Sequence, residues 1–384
     1  APYLRKFGCY TVPDFIGTRY GGNLVRACSV FVLFIASFTY VTAQINATGT
    51  IASRALGIPF EAGVWVGLIS ILICSMLGGM RAVTWTQVAQ YIVLIVAYLI
   101  PVFWISSKVG GGVFPHLMLG DEVARLGELE QQFGLVKNSA ADMKAAGVPG
   151  GLKYISGTHS GVPEGGMAVW KYLSLAICMM VGTASLPHIL MRYFTTPSVR
   201  AARKSVAWSL FFIFLLYSSA PMLATLSKLA LMDPNLPTGI IGKSISEVQS
   251  IEWVQRWSEV KQVFIADFNG DGILQLNEWF MRGDVVVLAT PEVAGLPFVI
   301  SGLVFAGGMA AAMSTADGLV LAISNALSHD IYYKIIDPKA DTRKRLLVAR
   351  VLLVIIGAAG AYIASFRLTS ILGSVAWAFD FAMS

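Results

Sequence analysis

LPFVISGLVFAGGMAAAMSTADGLVLAISNALSHDIYY, from Leu296 to Tyr333, is the stretch whose reading decides the fold. It is apolar for longer than the roughly 20 residues a helix needs to cross a bilayer. Yet Ser314, Thr315 and Asp317 stand near its middle. An uncompensated ionisable side chain at the centre of a membrane helix costs about 2.5–3.5 kcal/mol or more, so such residues face a bundle interior, a cavity or an ion path. Two readings stay open. The oxygens are ligands for a cation, or the acid pairs with a neighbouring helix while the hydroxyls bond back to carbonyls of their own helix.

The rest of the chain has the same character. Of 384 residues, 56% are hydrophobic and 13% charged, against about a quarter charged in soluble domains. This is the composition of an integral membrane protein. The net charge of +6 does not point to nucleic acid, because the basic residues sit in short loops between apolar spans, where membrane insertion places them. Cys9, Cys28, Cys74 and Cys178 have no metal-ligand spacing and read as packing residues. The chain opens on Ala1 without a signal peptide and stops at Ser384 inside an apolar segment, so it is expected to be cut at both ends.

Runs of roughly 18 or more mostly apolar residues predict spans near 24–50, 60–79, 85–107, 167–191, 205–227, 296–328 and 346–366, with an eighth starting near 370. Arg5, Lys6, Arg19 and Arg26 precede the first span and Arg81 lies between the second and third. Arg192, Arg200, Arg203 and Lys204 follow the fourth, and Lys334, Lys339, Arg343, Lys344 and Arg345 follow the sixth. If each span crosses once, all these loops share one side, which the positive-inside rule makes cytoplasmic. The inserts 108–166 and 228–295 then lie outside, as expected for a bacterial inner (plasma) membrane protein.

GGMAAAMSTADGLVLAISNALSHDIYY resembles the eighth core helix of the sodium:solute symporter family, with its small residues, its hydroxyl pair and its closing Asp-Ile-Tyr. APYLRKFGCYTVPDFIGTRYGG resembles the loop after that family's second core helix. GGMRAVTWTQVAQY resembles its fourth-to-fifth helix junction, and SLPHILMRYFTTPSVRAARKS the inner end of its sixth. The resemblance implies an all-α membrane protein with a LeuT-type core of two five-helix inverted repeats, present in part, and an extracytoplasmic EF-hand-like insert. By that mapping residues 1–107 hold a cytoplasmic loop and core helices three to five, 167–227 hold helices six and seven, and 296–384 hold eight, nine and the start of ten. The segments 108–166 and 228–295 are extracytoplasmic inserts. In such a family Ala311, through its carbonyl, and the hydroxyls of Ser314 and Thr315 would coordinate the coupling sodium; sodium is a hard cation that prefers such oxygens. Asp317 would tune the site or anchor packing.

For the solute, Gly182 and Pro187 interrupt span 167–191 within GTASLPH, and a broken helix frees backbone groups for a polar ligand; a plain proline kink is the alternative. Gly182, Ser185, Gln44, Gln87 and Gln90 are the candidate substrate residues, and bracing between helices is the competing role for the amides. Sugar-type relatives place an acid where Gln87 stands, which argues against a second sodium site, and Met179 with Gly182 replaces their sixth-helix Asn and Tyr, which argues against sugar. The wording is closest to bacterial acetate and monocarboxylate permeases.

DFNGDGILQLNE fits the twelve-residue EF-hand pattern. Asp267, Asn269 and Asp271 occupy positions one, three and five, and Gly272 the turn at six. Ile273 offers its carbonyl, Gln275 acts through water and Glu278 closes the loop with two oxygens. A weak structural calcium site is expected, with a dissociation constant of order 10⁻⁴ to 10⁻³ M. Apolar residues at helical spacing (Val248, Ile251, Val254, Trp257) predict a helix before the loop, and Trp279 with Phe280 is expected to open a helix after it. A further amphipathic helix is expected over 121–133.

These readings predict a sodium-coupled symporter, not an enzyme, that imports a small organic solute by alternating access, a short monocarboxylate such as acetate, with proline or another amino acid as the alternative. Its partners are that solute and the lipid bilayer, with no nucleic acid; the oligomeric state is not legible. A membrane sensor built on a symporter-like domain is the rival class, which a histidine-kinase sequence beyond residue 384 would favour.

Overall fold

The computed structural model describes residues 2–110, 112, 114–133, 140–148, 153–154, 166–367 and 371–383. Helix α1 (Pro2–Phe7) and helix α2 (Val12–Tyr20) come first. The Thr11 side chain caps α2 by accepting the Asp14 N–H. The apolar run that follows forms α3 (Asn23–Leu56), stopped by Gly57 in the left-handed conformation. The second and third expected spans form the two halves of α4 (Phe60–Val109), two helices that meet at a break at Gly79, whose φ of 58° and ψ of −166° are non-helical and open to glycine far more readily than to other residues.

Beyond α4 lies α5 (Pro115–Phe133), longer than the helix expected over 121–133. It docks on the C-terminal end of α9 (Val199–Met232), where Leu126 and Leu129 bury against the Met222–Leu223–Leu226 face. Lys228 bonds Glu130 at 3.1 Å and Arg125 pairs with Asp233. Between them come α6 (Ala140–Ala145), β1 (Lys153–Tyr154), α7 (Gly166–Ser185) and α8 (Pro187–Phe194). The break between α7 and α8 falls at Leu186–Pro187, as the proline predicts.

The second insert corrects the sequence reading at its centre. Helices α10 (Ile245–Ser250) and α11 (Glu252–Glu259) do precede the acidic loop, but strand β2 (Val263–Ile265) follows them. Trp279 and Phe280 open strand β3 (Trp279–Met281), not a helix. The order β1-β3-β2 is antiparallel throughout, with Phe264 opposite Phe280 and Lys153 opposite Met281. Aromatic residues suit this half-buried pleated surface, and pairing with both neighbours overrides the local spacing. β1 comes from the first insert, so the two inserts share one sheet.

A short helix, α12 (Val286–Val293), leads into α13 (Phe298–Asn325), which continues π-wound through Ala326–Ile336. Helices α14 (Thr342–Ser365) and α15 (Ile371–Met383) complete the described chain. Among the described residues six helices are long and apolar enough to cross a membrane. One core packs α3, α4, α13 and α14 through Ile45, Leu68, Leu319, Val320 and Ile356; a second joins the C-terminal end of α9 to the inserts around Trp257 and Trp279.

Candidate cation and solute site

Small residues let α13 lie close to α4. A Cβ on Gly307 would stand 2.4 Å from that of Ala97, the backbone approach that membrane helices use in place of a hydrophobic driving force. One turn further along α13, Ala311, Ser314 and Thr315 are half-buried. The Ser314 hydroxyl donates to the Ala311 carbonyl at 2.9 Å and the Thr315 hydroxyl to the same oxygen at 3.2 Å. The three oxygens attributed to sodium therefore lie together, with both hydroxyls donating to the Ala311 carbonyl, as the back-bonding reading expects. They are neutral, hard and adjacent, a donor set that could hold a monovalent alkali ion as part of its coordination shell. A cavity of about 300 Å³, lined by Tyr98, Tyr217, Gly307 and Gly308 among others, borders Ala311.

Gln87 on α4 is buried, and its amide nitrogen donates to the Ser314 carbonyl, so one expected solute residue braces the cation helix directly. Its Oε1 has no partner. Asp317 is fully buried; Oδ1 accepts the hydroxyl of Ser75 on α4 at 3.1 Å, and Oδ2 has no partner among the described residues. On the next residue, the place a Cβ would occupy on Gly318 lies 3.1 Å from Nη2 of Arg192, 3.6 Å from Nε2 of Gln87 and 3.7 Å from Cδ2 of His188.

The other candidates sit elsewhere. Gln44 is half-buried on α3, and Gln90 is half-buried on α4 with an unpartnered Oε1. Gly182 packs against the last helix: a Cβ there would meet that of Phe379 at 2.6 Å, so the missing side chain makes room for α15. The Ser185 hydroxyl bonds back to Val181 at 2.8 Å. Sequence reasoning missed Ser75, one hydroxyl in an apolar run, and treated Arg192 as a loop cation. It also missed an ion network joining α2, α3 and the π-wound end of α13. There Arg26 lies 3.4 Å from Asp14 and 3.8 Å from Asp330, and Thr11 bonds Asp330 at 2.6 Å. Asp14, His329 and Asp330 could group around a metal ion, but the guanidinium between the two acids already supplies the positive charge.

In the acidic loop, Asp267 accepts the N–H groups of Gly270 and Gly272 at 2.7 and 3.1 Å, and both glycines have positive φ. Asn269 and Gln275 each donate to Asp271. The backbone N–H of Ile273 holds the Asp271 carboxyl below its usual range. Glu278, fully buried, accepts from Phe268 and Gln275 at 2.8 and 3.0 Å and so ties one end of the loop to the other. Leu274, buried at position eight, exchanges 2.8 Å backbone bonds with Gly242 and Lys243, which stand where a partner loop would. The carboxylates are spread over backbone donors; among the described residues the three-ligand group within 4.8 Å is that of Asp14, His329 and Asp330, not this loop.

Comparison with known proteins converges on one family. The model of the sodium:solute symporter family matches residues 1–244 and 285–384, leaving out the stretch that holds α10, α11, the acidic loop and β2–β3. An uncharacterised symporter of Cupriavidus necator is 39% identical over 100% of this chain and 67% of its own length. A monocarboxylic acid transporter of Corynebacterium glutamicum is 25% identical over 92% of this chain and 55% of its own. A solved Na⁺-coupled sialic acid symporter, in a substrate-bound outward-open state, superposes with a TM-score of 0.59 at 15% identity, covering 99% of this chain and 64% of that one; the likeness is one of fold, the LeuT-type transporter architecture. The chain thus spans about two thirds of the first relative and little more than half of the second. With all six membrane-length helices of the described residues inside the matched segments, the chain belongs to the sodium:solute symporter family.

Proposed function

We propose that this chain forms the greater part of a sodium-coupled symporter that imports a small organic solute, a short monocarboxylate such as acetate, by alternating access. The observation that carries the reading is the convergence of the Ala311, Ser314 and Thr315 oxygens at mid-helix, on a segment braced through Ser314 by the buried amide of Gln87. Sodium bound there replaces the two hydroxyl-to-carbonyl bonds, so the hydroxyl lone pairs face the ion. Sodium and solute together stabilise the occluded state, and differential affinity for the outward and inward states drives the cycle. The monocarboxylic acid transporter among the relatives supports the solute class. Uptake of radiolabelled acetate, propionate, pyruvate and proline by the full-length protein in proteoliposomes tests it. Sodium-gradient-driven uptake of the monocarboxylates is expected, and proline as the sole substrate would refute the solute class.

The acidic loop is proposed to take calcium. Its supports are the twelve-residue spacing, the two left-handed glycines, and the pairing of Leu274 with Gly242 and Lys243 in place of a second loop. Asp267, Asn269, Asp271, the Ile273 carbonyl, Gln275 through water and Glu278 would hold the ion once the carboxylates turn from their backbone donors. Its role would be to stiffen the joined inserts.

A further inference from the structure

Arg192 is half-buried on α8 and carries a full positive charge. Among the described residues no carboxylate lies within 4.0 Å of it, and its guanidinium rests against the bare backbone of α13 at Gly318. The groups gathered about the same point are the side chains of His188 and Gln87, both buried and neither of them an anion. Asp317, the nearest acid in sequence, is instead bonded to Ser75 on α4. Nδ1 of His188 is buried with no partner among the described residues and donates in the tautomer that carries its proton there. A charge withdrawn from water costs several kcal/mol unless an opposite charge meets it. The side chains around Gly318 supply a cation and hydrogen-bond donors but, among the described residues, no anion.

The ligand that fits is planar and singly negative. The guanidinium offers a rigid fork of N–H groups matched to two carboxylate oxygens, and the amide of Gln87 has one hydrogen left after the Ser314 carbonyl takes the other. Gly318 lies four residues, or about 6 Å of helix, from Ser314, on the side of the cation ligands away from the inserts. The bound anion and the bound cation would stand about one helical turn apart, joined by Gln87.

We propose that Arg192, with His188 and Gln87 around Gly318, forms an anion subsite that receives the carboxylate of the transported solute inward of the cation ligands. The proposal rests on the carboxylate reading of the function above, and it adds the residue that recognises the charge.

The test compares wild type, Arg192→Gln and Arg192→Lys in full-length, reconstituted protein. Competition by acetate and propionate is measured against competition by acetamide and propionamide, alongside sodium affinity. The wild type is expected to favour the acids, Arg192→Gln to weaken acid binding at least tenfold and lose most of that preference, and Arg192→Lys to weaken it severalfold by losing the fork; sodium affinity should change less than threefold. A purely structural role would lower the maximal rate for every solute and leave the acid-to-amide ratio alone, and that result overturns the subsite. If Arg192→Gln does not fold, unchanged acid affinity in Arg192→Lys overturns it as well. Absence of sodium-driven carboxylate uptake in the wild type sinks the carboxylate reading itself, whereas normal wild-type uptake with an unmoved ratio in the variants sinks only the subsite.

Discussion

A methyl group on Gly307 would stand 2.4 Å from the Cβ of Ala97, whereas carbon atoms in contact sit about 3.5–4.0 Å apart. In Gly307→Ala the two helices must therefore part by roughly 1 Å, and overpacking of this kind costs about 1–3 kcal/mol. Alanine recovers about 0.5–1 kcal/mol through its better helix propensity, so a net destabilisation of about 0.5–2 kcal/mol is expected. The functional effect should be sharper, because Gly307 and Ala311 share a face one turn apart and the displacement moves the carbonyl that receives both hydroxyls. If about 1.4 kcal/mol of the strain falls on the cation site, sodium affinity drops tenfold. Thermal unfolding in detergent and the sodium dependence of uptake read the two effects. Ala97→Gly combined with Gly307→Ala removes the contact from the other side, so the pair should regain most of both losses with a coupling energy of about 1–3 kcal/mol. A single variant with wild-type unfolding midpoint and sodium affinity, or a double variant no better than the single, would refute the packing argument.

Three other outcomes follow. Glu292→Ala leaves the Arg54 guanidinium, 2.9 Å away and stacked on Trp257, without its acid and removes the acceptor of the Trp257 N–H. Because both side chains keep 12–14% exposure, the cost is discounted to about 2–4 kcal/mol; thermal unfolding checks it, and Arg54→Met with Glu292→Leu should recover much of the loss. Calcium at millimolar concentration should raise the unfolding midpoint of the full-length protein, chelator should reverse the gain, and Glu278→Ala should abolish it; an equal shift in that variant contradicts the calcium site. Gly182→Val, forced against Phe379 at 2.6 Å, should lower stability by about 1–3 kcal/mol, and Phe379→Ala should partly rescue it in the same melt.

The membrane helices were legible because bilayer thickness imposes a long apolar run on each, and Pro187 marked the break at Leu186–Pro187. The expected spans 60–79 and 85–107 are two helices joined without an intervening loop, since a glycine at positive φ can turn the chain between them. Trp279–Met281 was misread for a different reason: three residues carry no periodicity, and their strand character comes from Lys153–Tyr154, more than a hundred residues away, and from Val263–Ile265. At the site, Ser314 and Thr315 stood out as hydroxyls in an apolar run. Their surroundings did not. Ser75 and Arg192 acquire meaning only when α4 and α8 are brought against α13, contacts that span 242 residues in the case of Ser75 and Asp317. Gly182 shows the reverse, a local signal of a broken helix that is equally a place where α15 comes close.

Replacing Ser314 and Thr315 together with alanine in the full-length carrier leaves the Ala311 carbonyl in place and deletes the two hydroxyls that converge on it. Sodium dependence of solute uptake is then the most direct measurement of the central claim. The account predicts that the sodium concentration for half-maximal uptake rises at least tenfold while the protein still inserts and unfolds near the wild-type midpoint. Uptake that follows the sodium gradient with wild-type affinity in the double variant would contradict it.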